Sequence, residues 1–213
     1  MLTFYDYLPS QNGWKVRQML RHLALPHRTE LVSIFEGAGQ TPEYRAVNPT
    51  GAVPAIRLDD GRVLSESNAI LVYLAHGTPY LPAERYAAAK VHQWLSFEQM
   101  YVESTIGSLR FWTLTGKLAK RPAPLVEGKR NASLRSLAIL DAELATRPFI
   151  AGETYTIADI SLFAYAHRAD DIGMPVRDYP NLAAWIERLE AQPGFDATHH
   201  PYSTDPYAER ELP

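Results

Sequence analysis

The chain has 213 residues, 46% of them apolar, which is enough for a sizeable core in one large domain or two small ones. Its net charge of -3 lacks the basic excess that nucleic-acid binding draws on. With no cysteine, it can hold no disulfide, thiolate metal site or redox thiol of its own.

Leu2 to Tyr5 is short, aromatic and apolar, and predicts a strand. Tyr7 to Gly13 carries loop residues, Pro9, Ser10 and Asn12 among them. From Trp14 to Leu25 the apolar positions Trp14, Val16, Met19, Leu20 and Leu23 recur at helical spacing. Thr29 to Ile34 predicts a second strand, Glu36 to Gln40 a loop, and Pro42 to Val47 a short helix. Two strands, Pro54 to Leu58 and Arg62 to Leu64, flank the turn Asp59-Asp60-Gly61. A helix over Ser65 to Ala75 completes this half, and Gly77 to Pro82 reads as a linker.

Strand signals then stop. Ala83 to Leu118 predicts one long helix, rich in aromatic residues, and Lys120 to Pro124 breaks it with two prolines. Further helices are expected over Val126 to Thr146, Thr156 to Asp170 and Asn181 to Ala191. Thr156-Ile157-Ala158-Asp159 has the form of a capping box, with Asp in the acid position. From Pro193 an irregular tail follows, rich in Pro, His and Tyr. The expected organisation is an α/β half over 1–77, a linker over 78–83 and an all-α half with its tail over 84–213. No apolar run reaches the roughly 20 residues that span a bilayer, and Met1 to Asp6 lacks the pattern of a signal peptide. A cytoplasmic protein with no membrane or nucleic-acid partner is expected.

Three places invite chemistry, each beside a plainer reading. The first is Val53-Pro54. A proline opening a strand cannot donate to the ladder, and a cis bond there would turn the Val53 backbone outward to pair with a peptide. The plainer reading is a strand-opening proline. The second is Glu66-Ser67 at a helix start, where N–H groups and the Ser67 hydroxyl suit a carboxylate and Glu66 suits an ammonium. Ordinary capping uses the same residues. The third is Ser10-Gln11-Asn12, where Ser10 or Asn12 either caps a helix or donates to a ligand thiolate. A free thiol titrates at about 8.5, so a donor and a helix N-terminus would favour the ionised form near neutrality. The seven histidines form no ligand set, and no metal site is expected. Gly37-Ala38-Gly39 is too bare for a phosphate loop. Glu103 and Arg110 read as surface or inter-subunit ion-pair residues.

Several segments, in this order, carry a resemblance. They are Ser10-x-Asn12 with Lys15-Val16-Arg17, Thr41-Pro42-Glu43-Tyr44, Asn48-Pro49-x-Gly51-x-Val53-Pro54, Glu66-Ser67-x-Ala69-Ile70 and Thr156-Ile157-Ala158-Asp159. Over nearly its whole length the chain resembles the cytosolic glutathione transferases, and Gln93 to Gln99 with Arg110-Phe111-Trp112 resembles a bacterial subgroup of them. The resemblance implies a thioredoxin-like N-terminal domain, an all-α C-terminal domain and a homodimer. It implies glutathione as cosubstrate, with no metal. Val53 beside a cis Pro54 would pair with the cysteinyl part, Glu66 and Ser67 would hold the γ-glutamyl end, and Gln40 would touch the glycine carboxylate. Ser10 would activate the thiol, with Asn12 as helper or substitute and Tyr7 as runner-up, Tyr5 also lying near the end of the first strand. Asp159 would be a structural cap. Leu8, Tyr101, Ser104 and Phe111 would line a pocket for a hydrophobic electrophile, in a detoxifying conjugation. Two other activities remain open on this fold. One is disulfide reduction driven by bound glutathione, and the other is a non-catalytic carrier or regulator.

Overall fold

The computed structural model describes residues 1–210 and 212, with Arg210 described by its backbone alone. Glu211 and Pro213, at the end of the expected tail, lie outside the described residues. The chain divides into two compact units, one built from 1–76 with 196–212 and the other from 77–195.

The first unit holds a four-stranded mixed sheet in the order β2-β1-β3-β4. The strands are β1 (Leu2–Asp6), β2 (His27–Leu31), β3 (Ala55–Arg57) and β4 (Val63–Ser65). β1 runs parallel to β2, with Phe4 opposite Thr29, and antiparallel to β3, with Phe4 opposite Ile56. β3 and β4 pair antiparallel, with Ile56 opposite Leu64. This is the thioredoxin-like arrangement with one parallel crossover.

Every residue of β1 is buried, so both faces of the central strand are covered. Successive side chains point to opposite faces. Tyr5 packs with Val32, Tyr44, Val47 and Ala55 on the face of α2 (Pro42–Arg45). Asp6 lies on the other face, against Gly13 of α1 (Gln11–His22). A Cβ on Gly13 would stand 2.1 Å from Asp6 Oδ1, so glycine is what lets helix and strand close there. α1 packs on α3 (Ser67–Ala75).

Several boundaries differ from the sequence reading. β2 starts two residues earlier than expected and ends at Leu31. α1 starts at Gln11 because Ser10 caps it, ahead of the first periodic apolar residue. Ser65 ends β4 rather than opening a helix, because Glu66 turns the chain with φ 69°.

The second unit is helical. The expected single helix over Ala83 to Leu118 is three pieces: α4 (Arg85–Phe97), a π-helical segment (Glu98–Gly107) and α5 (Ser108–Leu114). Side chains bond main-chain carbonyls within the π-helical segment. Ser104 and Thr105 hydroxyls donate back to the carbonyls of Met100 and Tyr101, offering the backbone acceptors a side-chain partner in place of the next N–H. Helix α6 (Ala123–Leu144) adds two more donors, Ser136 Oγ to Tyr101 O at 2.8 Å and Lys129 Nζ to Ser104 O at 2.5 Å. Gly107 allows the segment to meet Tyr165, whose ring carbon a Cβ would approach to 2.9 Å.

α7 (Ile157–Ala166) is buried along its entire length, as a helix apolar all round must be. Its capping box is complete. Asp159 accepts from Thr156 N, Thr156 Oγ1, Ile150 N and Trp185 Nε1 of α8 (Pro180–Glu190), at 2.9 to 3.2 Å. Arg110, read as a surface or inter-subunit residue, is instead 2% exposed and donates from Nε to Asp171 at 2.6 Å.

The tail also departs from expectation. Residues 196–212 join the first unit rather than the helical one. Trp14 Nε1 donates to Asp196 O at 2.7 Å, and Asp196 N donates to Gln18 Oε1 at 2.9 Å. Farther along, Ser33 Oγ donates to Asp205 at 2.6 Å, and Tyr202 stacks on Tyr7.

Candidate functional site

The loop before β3 is built from its own polar residues. Asn48, 1% exposed, donates from Nδ2 to Ala52 O at 2.7 Å, and Tyr44 Oη donates to the same carbonyl at 2.7 Å. Asn48 Oδ1 accepts from the N–H and hydroxyl of Thr50. Gly51 adopts φ 72°, and a Cβ there would lie 2.5 Å from Gly39 O. A Cβ on Gly39 would lie 2.2 Å from Gly51 O in turn. Two glycines thus bring the Gln40 loop against this one, a role that Gly39 did not advertise in sequence. Gln40 is exposed and accepts from Arg45 through Oε1. The Val53-Pro54 bond is cis. Val53 itself lies outside β3, which starts at Ala55.

Glu66 occupies left-handed φ space (69°), which non-glycine residues rarely adopt, and its exposed side chain makes no capping hydrogen bond. Ser67, 5% exposed, begins α3. Its hydroxyl donates to Asn12 Oδ1 at 3.1 Å, across 55 positions of chain, and accepts from Lys15 Nζ at 3.4 Å. The fold therefore unites two of the three sequence candidates.

Ser10 does cap α1, as its plainer reading has it. Its Oγ accepts from Gly13 N at 3.0 Å. That bond uses the oxygen as acceptor and leaves the hydroxyl proton to be donated elsewhere. Arg17, about two turns along, clamps the loop. It donates to Leu8 O at 2.9 Å, Ser10 O at 3.4 Å and Asp6 Oδ2 at 2.5 Å. Asp6 is fully buried, and burial pushes its carboxyl up against the opposing pull of the Arg17 guanidinium. A lone acid closing an otherwise apolar strand was the available sequence signal for this pair.

Tyr7 faces a different way. Its ring packs against Phe35 and Tyr202, which also contact each other, and burial together with the Asp205 carboxylate pushes its phenol far above the ordinary value. Leu8 and Pro9 join Tyr7, Ser33, Pro206 and Tyr207 around a cleft of about 230 Å³. Tyr5 is a core residue, edge-on to Tyr44. Of the other pocket candidates, Tyr101 is 54% exposed, the Ser104 hydroxyl is bonded within its own segment, and Phe111 carries Lys117 Nζ over its ring. Among the described residues no group of three or more His, Asp or Glu is placed to hold a metal ion, and no helix is long and apolar enough to cross a membrane.

Comparison with known proteins adds to this geometry. The family model for the glutathione S-transferase N-terminal domain matches residues 9–76, and that for the C-terminal domain matches 123–188. A glutathione S-transferase structure from Pseudomonas fluorescens Pf-5 is 36% identical, covering 94% of this chain and 98% of its own, with a TM-score of 0.87. A glutathione transferase family member from the same organism, solved with two glutathione bound, is 29% identical over 91% and 89% of the two chains, with a TM-score of 0.78. Among curated relatives, the disulfide-bond oxidoreductase YfcG of Escherichia coli strain K12 is 28% identical, over 91% of this chain and 92% of its own.

Proposed function

Since the chain belongs to the glutathione S-transferase family, we propose that it binds glutathione in the first unit and transfers its sulfur to a hydrophobic electrophile. The peptide lies along the main chain of Val53, which the β3 ladder leaves outside its pairing. Its γ-glutamyl ammonium meets Glu66, and the adjoining carboxylate meets the N-terminus of α3 at Ser67. Gln40 sits toward the glycine end.

The observation that carries the reading is the state of Ser10. Its oxygen accepts from Gly13 N–H, and its hydroxyl proton is left to donate at the positive end of a twelve-residue helix. A thiolate is the acceptor that gains most from that arrangement. A charge-assisted hydrogen bond stabilises an ion by about 1.5–3 kcal/mol, which lowers a thiol from about 8.5 toward neutrality. The thiolate then forms a carbon–sulfur bond, and the leaving group departs with its electron pair. Tyr7 is the weaker donor candidate, since its ring packs against Phe35 and Tyr202 beside an anionic carboxylate.

Steady-state conjugation of glutathione to an activated aromatic halide tests this. In Ser10→Ala, kcat/KM falls by about 10²-fold, with a smaller loss for Asn12→Ala and almost none for Tyr7→Phe. A loss of less than threefold in Ser10→Ala removes Ser10 from the mechanism.

The likeness to YfcG supports a second reading on the same site. Having no cysteine, the chain would draw both electrons from glutathione, two molecules being oxidised to the disulfide as the substrate disulfide becomes two thiols. Turnover on a small mixed disulfide that exceeds turnover on the halide would favour it.

A further inference from the structure

Lys15 is the one lysine of the first unit, and its side chain is fully buried, an uncommon place for an ammonium. The sequence shows it only as part of the Lys15-Val16-Arg17 segment and gives it no role. The fold aims it at the γ-glutamyl end of the site proposed above. Its Nζ stands 3.4 Å from Ser67 Oγ, and Ser67 Oγ stands 3.1 Å from Asn12 Oδ1.

We propose that Lys15 is a positioning residue for glutathione: it fixes the direction of the Lys15–Ser67–Asn12 hydrogen-bond chain and thereby the way Ser67 and Asn12 are presented. This inference rests on the glutathione reading. The logic is one of donors and acceptors. An ammonium can only donate. Ser67 Oγ therefore accepts from Lys15 on one lone pair, and its single proton goes on to Asn12 Oδ1. With the carbonyl oxygen of Asn12 facing Ser67, the amide NH₂ turns to the opposite side. A neutral residue at 15 would remove the donor that holds the Ser67 oxygen as acceptor, and with it one constraint on the hydroxyl and on the amide beyond it.

The placement has a second effect. α1 and α3 both begin at this point, so Asn12 and Ser67 sit where two helix N-termini meet. A carboxylate bound there meets the first main-chain N–H groups of α3 beside side chains already held in place. Lys15 contributes this without touching the ligand, so its loss should appear as a KM effect and a changed thiol titration, with the donor Ser10 still in place.

The test uses Lys15→Met, which keeps the stem and removes the charge, with Lys15→Arg as the conservative variant. Calorimetry gives the glutathione affinity, and thiolate absorbance against pH gives the pKa of the bound thiol. Expected is a tenfold or greater weakening of glutathione binding in Lys15→Met, a bound-thiol pKa raised by about half a unit or more, and partial rescue in Lys15→Arg. Combining Lys15→Met with Asn12→Ala should add little, because both break the same chain. A folded Lys15→Met with wild-type affinity and thiol pKa overturns the inference alone. Wild-type protein that takes up no glutathione at millimolar concentration overturns the function reading and this inference with it. Should Lys15→Met fail to fold, ¹⁵N-lysine-labelled wild type decides. The Lys15 ammonium signal shifts on glutathione addition if the inference holds, and an unmoved signal overturns it.

Discussion

Glu66, the residue proposed to meet the ligand ammonium, sits where its backbone conformation works against stability. Its left-handed backbone costs about 1 kcal/mol or more relative to glycine, and no capping bond offsets this. Glu66→Gly should raise the melting temperature by about 2–4 °C while weakening glutathione binding, measured by thermal unfolding and calorimetry on one preparation. Arg17 acts in the opposite sense. It is the ionic partner of the buried Asp6, and Arg17→Met strands that carboxylate in the interior. The expected loss is about 3 kcal/mol in chemical denaturation. Turnover should fall as well, because the same guanidinium holds the carbonyls of Leu8 and Ser10. At this scale the sequence was partly legible. Ser10, Val53-Pro54 and Ser67 are marked by local turn and capping chemistry, whereas Lys15 and Asp6 act through partners that only the fold brings near.

Among elements, periodicity located most helices but not the irregularity in the longest one. Hydrophobic spacing over Ala83 to Leu118 averages across the π segment, so a pattern argument sees one helix where there are three pieces. The cause is non-local in part, because Ser136 and Lys129 of α6 satisfy carbonyls that the wider turns leave available. Replacing both donors, Ser136→Ala with Lys129→Met, should shorten the π segment toward regular α geometry, visible as changed amide-exchange protection over 98–107. The succession of strands and helices in the first unit was legible from short elements bounded by Gly, Pro or Asn, whereas the thioredoxin-like arrangement came from the resemblance and not from those signals. Charge inside the helical unit was not. Asp171 is pushed up by burial, but Arg110 and Arg168 outweigh this and hold its carboxyl below the ordinary range. A depressed carboxyl contributes stability that is complete above its unfolded value, near pH 4, and is lost as pH falls through the folded one. Asp171→Asn should flatten the acid limb of the stability profile. It should cost about 3 kcal/mol at neutral pH by depriving buried Arg110 of its carboxylate.

Over the whole molecule, the division into two units is anticipated by the loss of strand signals after residue 77, but the destination of the tail is not. Nothing local in Asp196 or Tyr202 announces Trp14 or Tyr7 as a neighbour. Removing 196–213 should therefore lower the stability of the first unit rather than of the helical one, since the Trp14 indole and the Gln18 amide lose their partners and Tyr7 loses the ring stacked on it. Amide exchange that accelerates in α1 and β1 while α7 stays protected is the expected outcome.

The bond from Trp14 to Asp196 joins positions 182 residues apart. A ribosome makes the sheet well before the strap that finishes it, so the nascent N-terminal region must wait, incomplete, until residues 196–205 have been added. During synthesis Tyr7 lacks the ring of Tyr202, and protease attack on stalled chains should find β1 and α1 open until residues 196–205 have left the exit tunnel.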